Sequence, residues 1–223
     1  MTKPPSPERT TYWMRVGRLC TPTEVLERAV LCIEGGRIRA VGPQEALPIP
    51  PGAPVLDFPD LCAVPGFVDL QVNGGFGCDF TRDPGSIPTV ARRLPAFGVT
   101  AFLPTIVSSP PEVVRKAVEV VRSLPPEPTG ARVLGLHLEG PFLNPQQAGA
   151  HNPAHLRLPS LEALAALGPL EPVRLVTLAP ELPGADDVIR DLRRRGIVVA
   201  AGHTSATYEE ALHALDLGVA FGT

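Results

Sequence analysis

The chain of 223 residues has no surplus of charge of either sign: 20 lysines and arginines stand against 23 aspartates and glutamates, a formal charge of -3. That balance gives no electrostatic basis for holding nucleic acid or an anionic membrane. Its one basic cluster, Arg193-Arg194-Arg195, falls where a helix should end, and cations suit that end of the helix dipole. There is no CxxC pair. Cys20, Cys32, Cys62 and Cys78 lie far apart in sequence. Four cysteines could make two bridges. However, the leading MTKPPSPERTT lacks the apolar centre of a signal peptide, so the expectation is reduced thiols in a cytoplasm. No apolar run approaches the length needed to cross a bilayer, so no membrane partner is expected.

What is present is an ordinary globular balance, 44% hydrophobic and 19% charged, able to fill a core. The 28 prolines fall mostly between periodic segments and read as punctuation. Residues 1 to 11 read as a loose tail. From Tyr12 to about Asp57 the pattern is short strands and turns. Val30–Ile33 and Arg37–Val41 flank Glu34-Gly35-Gly36, a hairpin signal. Residues 1–64 are therefore expected to form a small β-rich portion, and residues 65–223 the main body.

At Val64-Pro65-Gly66 the pattern changes to strands alternating with helices. FVDLQVNG, VTAFLPT, VLGLHLEGP, VRLVTLAPE and IVVAAGHT read as five strands, and VAFGT begins a sixth. PEVVRKAVEVVRSL is an amphipathic helix. SLEALAALG is a helix with Ser160 as its N-cap and Gly168 just past its end. DDVIRDLRRRG is closed by Gly196. TYEEALHALDLG opens on Thr207 with Glu210 three residues on, the capping-box arrangement.

Repeated strand–helix units predict a parallel sheet covered by helices. An open doubly wound sheet and a (β/α)8 barrel both fit. In FVDLQVNG, strict alternation puts Asp69, Gln71 and Asn73 on one face and Val68, Leu70 and Val72 on the other. A polar inner face suits a barrel. Polar residues also gather late in the strands, at Asn73, Thr105, Glu139, Glu181 and His203, where a barrel has its catalytic mouth.

The run LHLEGPFLNPQQAGAHN concentrates the chemistry. His137 and Glu139 share one strand face. His203 ends the fifth strand after the small residues Ala200-Ala201-Gly202. A carboxylate and an imidazole at one mouth suit a divalent transition ion, which activates water and polarises a carbonyl. The competing reading is that Glu139 and His203 are satisfied buried polar groups. For His137 the expected role is a hydrogen-bonded strand histidine inside the barrel. His155 and His213 are expected to be structural or exposed. His151 lies beside Asn152 in a polar loop past a strand end, where residues that contact substrate tend to sit. Ala148-Gly149-Ala150 lets backbone approach a ligand closely.

VPGFVDLQVNG, GLHLEGPFLNPQQAGAHNP, VTLAPE and AGHTSAT, in that order, resemble the N-acetylglucosamine-6-phosphate deacetylases of the amidohydrolase superfamily. The resemblance runs from about Ala29 to the end. It implies a metal-dependent TIM-type (β/α)8 barrel beside a small N-terminal β-sandwich. The implied activity is hydrolysis of N-acetylglucosamine 6-phosphate to acetate and glucosamine 6-phosphate. One divalent ion, zinc or iron, and a homodimer come with it. By resemblance, Glu139 and His203 are metal ligands, while Ala150 and His151 contact the sugar, His151 near the acetamido group. Many amidohydrolases carry His-x-His on the first strand. Gln71-Val72-Asn73 stands there instead, on the substrate side, and disfavours a second metal. In the family a further metal-binding histidine follows the position of Thr223, and the catalytic aspartate and a phosphate-binding arginine come later. A closed barrel takes eight strands and typically about 250 residues. The expectation is therefore an incomplete barrel with little activity of its own and an aggregation-prone open sheet. The alternatives are another amidohydrolase, a deaminase or cyclic amidase, or a non-catalytic sugar-phosphate-binding remnant.

Overall fold

The computed structural model describes residues 11–126 and 128–223. The loose tail expected over residues 1 to 11 lies outside them, apart from Thr11. The chain divides into two compact units, Met1–Pro65 and Gly66–Thr223.

The described part of the first unit is one four-stranded sheet of β1 (Tyr12–Cys20), β2 (Val25–Glu34), β3 (Arg37–Pro43) and β4 (Val55–Ala63), in the order β3-β2-β1-β4. A sandwich has two such layers, and the described residues form one. The expected hairpin is β2–β3, with Glu34 opposite Arg37 across a turn at Gly35-Gly36. Val16, Leu19, Ala29, Leu31 and Ile33 cover one another on a single face, the period-2 burial of a half-covered sheet. Cys20 and Cys62, distant in sequence, bring their free Sγ atoms to 3.8 Å on the neighbouring strands β1 and β4.

The second unit is a curled parallel half-barrel. Its strands in chain order are β5 (Phe67–Val72), the short hairpin β6 (Gly74–Gly75) and β7 (Cys78–Asp79), β8 (Val99–Val107), β9 (Arg132–Val133), β10 (Leu136–Glu139), β11 (Val173–Leu178), β12 (Val198–Ala201) and β13 (Phe221–Gly222). The sheet runs β13-β12-β11-β10-β8-β5, with β9 beside β8. All six predicted strands are there. The third is split, because Gly135 breaks the run between β9 and β10.

Helices α1 (Ile87–Arg93), α2 (Pro111–Arg122), α3 (Leu161–Ala166), α4 (Ala185–Arg194) and α5 (Tyr208–Leu217) cover the sheet's outer face. Helix α4 shows why. Ala185, Val188, Ile189 and Leu192 recur at helical spacing and are all buried. Its other face carries the pairs Arg190–Asp186, Arg194–Asp191 and Arg195–Asp191, and Arg193 donates to the Leu217 carbonyl. The arginine cluster is thus a helix end with local partners. Ser160 caps α3 through the Ala163 N–H, and the Thr207–Glu210 capping box opens α5 as expected. Helix α1 was not foreseen, because Pro88 and Pro95 interrupt its periodicity. Among the described residues no helix is long and apolar enough to cross a membrane.

The outer core packs Phe80, Phe102, Ile106, Leu136, Leu138, Val176, Leu178 and Val199 against α1–α5. Each fully buried side chain of this size contributes roughly 1.5–3 kcal/mol. The inner face is layered. Leu70, Leu103, Leu175 and Ala200 form an apolar tier. Above it lie Thr105, His137 and Thr177, all fully buried. One expectation fails in β5. Leu70 packs inward while Val72 joins the outer core, so Val68, Leu70 and Val72 do not share a face. The cause is a register shift between Asp69 and Val72, opposite Pro104, which has no N–H for the ladder.

Candidate metal and substrate site

The third strand ends at Glu139, and the chain turns sharply through Gly140 and a cis Gly140–Pro141 bond. A Cβ at Gly140 would collide with Ser108 Oγ, so a residue without a side chain lets this turn lie against the end of β8. Phe142 and Leu143 are buried and anchor the loop that follows, and the Phe142 carbonyl accepts from Ala179 N–H at 2.8 Å. Two Asn-Pro steps shape the rest. Asn144 Oδ1 accepts from Gln146 N–H and Asn152 Oδ1 from Ala154 N–H, each starting a short 3-10 turn. Between them the chain delivers His151 to the mouth.

Glu139, His151 and His203 converge there, their ligand atoms within 4.8 Å of one another. Glu139 and His151 are 5% and 6% exposed. Glu139 Oε1 lies 3.0 Å from His203 Nε2 and 3.8 Å from His151 Nε2. The imidazole rings meet edge-on, with centroids 4.5 Å apart. Burial alone would raise the Glu139 carboxyl. When both rings carry a proton on the nitrogen facing it, the two histidines outweigh burial and bring the pKa down to about 2.

The two histidines present opposite faces of their chemistry. His203 Nδ1 lies 2.9 Å from the Gln147 carbonyl, which only accepts, so the proton sits on Nδ1. In the neutral ring, Nε2 then aims its lone pair at an ionised carboxylate 3.0 Å away. Two acceptors face each other, and a proton or a cation must lie between them. Ligand atoms about 2 Å from a zinc-type ion in tetrahedral arrangement are roughly 3 Å apart, so the pair fits such an ion. His151 is the reverse. Its Nδ1 accepts from the Ser108 backbone N–H at 3.3 Å and faces Ser108 Oγ at 3.0 Å. Its proton is therefore on Nε2, which makes it a donor pointed at the site rather than a lone-pair ligand.

His203 holds a left-handed backbone, φ +50, which is costly for a residue with a side chain. Its carbonyl accepts from Asn144 N–H at 3.0 Å, and Gly149 packs a bare backbone against the ring.

His137 behaves as the hydrogen-bonded strand histidine. Its nitrogens meet Thr105 Oγ1 at 3.2 Å and Thr177 Oγ1 at 2.8 Å. Burial lowers its pKa to about 4, although the Glu139 charge and the Leu70 carbonyl push the other way. Ala150 is exposed beside His151. Gln71 and Asn73 are also exposed, and among the described residues no side-chain bond joins either to the cluster. His155 is half-buried in a loop, and His213 pairs with Asp186 at 2.9 Å on the surface. Sequence reasoning missed Ser108, which sets the His151 tautomer, and Gln147, which sets that of His203. Nothing in SSPP or NPQQ announces a tautomer, although both runs flank strand ends.

Parallel strands that bring a carboxylate and an imidazole to a common mouth make an arrangement suited to a metal-dependent hydrolase of the barrel type. No protein-family model matches the chain. Human N-acetylglucosamine-6-phosphate deacetylase is 44% identical over 230 residues, 96% of this chain and 50% of that protein. N-acetylgalactosamine-6-phosphate deacetylase of Escherichia coli O157:H7 is 34% identical over 213 residues, 93% of this chain and 54% of the relative. The crystal structure of N-acetylglucosamine-6-phosphate deacetylase from Pasteurella multocida superposes with a TM-score of 0.81 at 30% identity, over 95% of this chain and 56% of that one. Over nearly its whole length the chain is similar to N-acetylglucosamine-6-phosphate deacetylases. It spans about half the length of the curated relatives it matches.

Proposed function

We propose that these residues form the cation and acetamide end of a deacetylase that hydrolyses an N-acetylated amino-sugar 6-phosphate to acetate and the free amine. The observation that carries this reading is the facing pair of acceptors, Glu139 Oε1 and His203 Nε2, in a chain whose relatives are named for that reaction. Glu139 and His203 would hold one divalent ion, zinc or ferrous iron. Such an ion supplies Lewis acidity toward water and an amide carbonyl.

The chain's own groups do the rest. The His151 Nε2–H would donate to the acetamide oxygen and orient it. The buried setting of Glu139 and His151 excludes bulk water and strengthens those polar contacts. Ala150, exposed beside His151, would line the sugar. Gln71 and Asn73 are kept as contacts farther out, which require the substrate or a loop to reach them. We further place the protein in a cytoplasm, as a homodimer without nucleic-acid or membrane partners.

The test is a titration of the 223-residue chain with zinc or ferrous ion, followed by assay of N-acetylglucosamine 6-phosphate and N-acetylgalactosamine 6-phosphate against a nucleobase and a cyclic amide. Saturable binding of one ion, with sugar-phosphate binding or turnover, supports the reading. A preference for the nucleobase or cyclic amide would replace it with another amidohydrolase activity, and absence of saturable ion binding would leave only a sugar-phosphate-binding role.

A further inference from the structure

We infer that Glu181 is a positioning residue that fixes the aim of the His203 imidazole by clamping the turn after β12 to the turn after β10. The inference rests on the proposed cation site and goes beyond it, because Glu181 belongs to neither ligand set. Glu181 Oε1 accepts from Asn144 Nδ2–H at 2.9 Å and from Ser205 N–H at 2.7 Å, and Oε2 accepts from the Thr204 hydroxyl. One carboxylate thus ties three residues of two separate loops. Each tie bears on His203. Asn144 N–H donates to the His203 carbonyl at 3.0 Å, and Thr204 and Ser205 follow His203 directly. Gln147, whose carbonyl fixes the ring, is three residues from Asn144, and its Nε2–H donates to Ser205 Oγ at 3.1 Å.

The clamp has a physical purpose. A histidine at φ +50 stays there only if its surroundings over-determine it. Without Glu181, the Thr204 hydroxyl, the Ser205 N–H and the Asn144 amide lose their shared acceptor. The peptide of His203 is then free to relax, and Nε2 swings off the line to Glu139. The hydrogen bonds that hold Glu181 outweigh its partial burial and keep its carboxyl below the usual range, so it is a charged acceptor at neutral pH.

Cobalt(II), which reports ligand geometry through its visible spectrum, is titrated into the wild-type chain and into the E181A, E181Q and E139Q variants. The expected result is that E181A weakens cobalt binding about 10- to 100-fold, the range for residues that orient metal ligands. E181Q retains one acceptor oxygen and falls between. In the metal-free protein, the wild type should show a His203 Nδ1–H proton signal protected by the Gln147 carbonyl, and E181A should lose it. If folded E181A binds cobalt like the wild type and keeps that signal, the inference is overturned; a lower melting temperature alone does not support it. If E181A does not fold, E181Q decides on the same two measurements. Binding that E139Q leaves unchanged, or a wild type that binds no cobalt, sinks the cation reading itself and the inference with it.

Discussion

Glu139 Oε1 and His203 Nε2 face each other at 3.0 Å, and the other ring nitrogen of His203 is committed to the Gln147 carbonyl. This pair decides the chemistry of the mouth. A neutral imidazole cannot donate through Nε2 once Nδ1 holds the proton, so the contact is stable only as an imidazolium–carboxylate pair or around a cation. Removing either partner removes the ion's seat. Both E139Q and H203A are expected to abolish saturable zinc or cobalt binding while leaving the far-ultraviolet circular dichroism unchanged. Isothermal calorimetry of the three proteins measures this, and retained binding in H203A would show that the ion sits elsewhere.

Gly140 makes a second prediction. Its φ is +92 and a Cβ would strike Ser108 Oγ, so G140A adds both backbone strain and a collision behind Glu139. The cost should be roughly 1–3 kcal/mol of stability, with weakened ion binding, because the strained turn directly follows the ligand Glu139. Denaturant unfolding and a metal titration of G140A measure the two effects together. A G140A chain as stable as the wild type would mean that the turn after β10 is soft.

Much of this was legible in the residues. The six strands, the Ser160 cap and the Thr207–Glu210 box follow from periodicity and capping chemistry that act within a few residues, so the sequence carries them openly. Glu139 and His203 were legible as polar residues at strand ends. The failures have a common cause. Alternation placed Leu70 and Val72 on one face, but the register of β5 shifts between Asp69 and Val72, where Pro104 on the neighbouring strand has no N–H to give. Ser108 and Gln147 act through backbone groups, and a backbone N–H or C=O looks alike at every position. Even Glu181, noted as a polar strand-end residue, shows its role only when Asn144 and Ser205 come to it from different loops. What depends on a partner strand or a distant loop cannot be read from local pattern.

His137 gives a pH prediction. Its folded pKa is lowered to about 4 from an ordinary 6.5, chiefly by burial. The unfolded chain therefore binds a proton in that window while the folded chain does not. The stability from keeping His137 neutral is complete above about pH 6.5 and is lost as pH falls through about 4. For a fully buried group the swing is of the order of 3 kcal/mol. Urea unfolding with chelator present, from pH 7 to pH 4, should show stability falling, and the fall should be shallower in H137N. A slope that H137N leaves intact would assign the effect to other groups.

The last prediction separates the two histidines. His151 gives its Nδ1 lone pair to the Ser108 N–H, so its free edge is an N–H donor. A donor contributes to capture of an acetamide, whereas a cation needs a lone pair. H151A should therefore keep ion affinity within a few-fold of the wild type and lose most sugar-phosphate binding. A buried donor to a substrate oxygen is worth about 1–3 kcal/mol, or roughly 5- to 150-fold in affinity. H203A should lose ion binding outright. Turnover by the 223-residue chain should stay far below that of a complete site even with ion bound, because Glu139 and His203 are two lone-pair ligands where catalytic zinc takes three. Paired titrations of H151A and H203A, first with zinc and then with N-acetylglucosamine 6-phosphate, test the assignment. If H151A loses the ion as completely as H203A does, His151 is a ligand, and the Ser108 N–H does not fix its tautomer in solution.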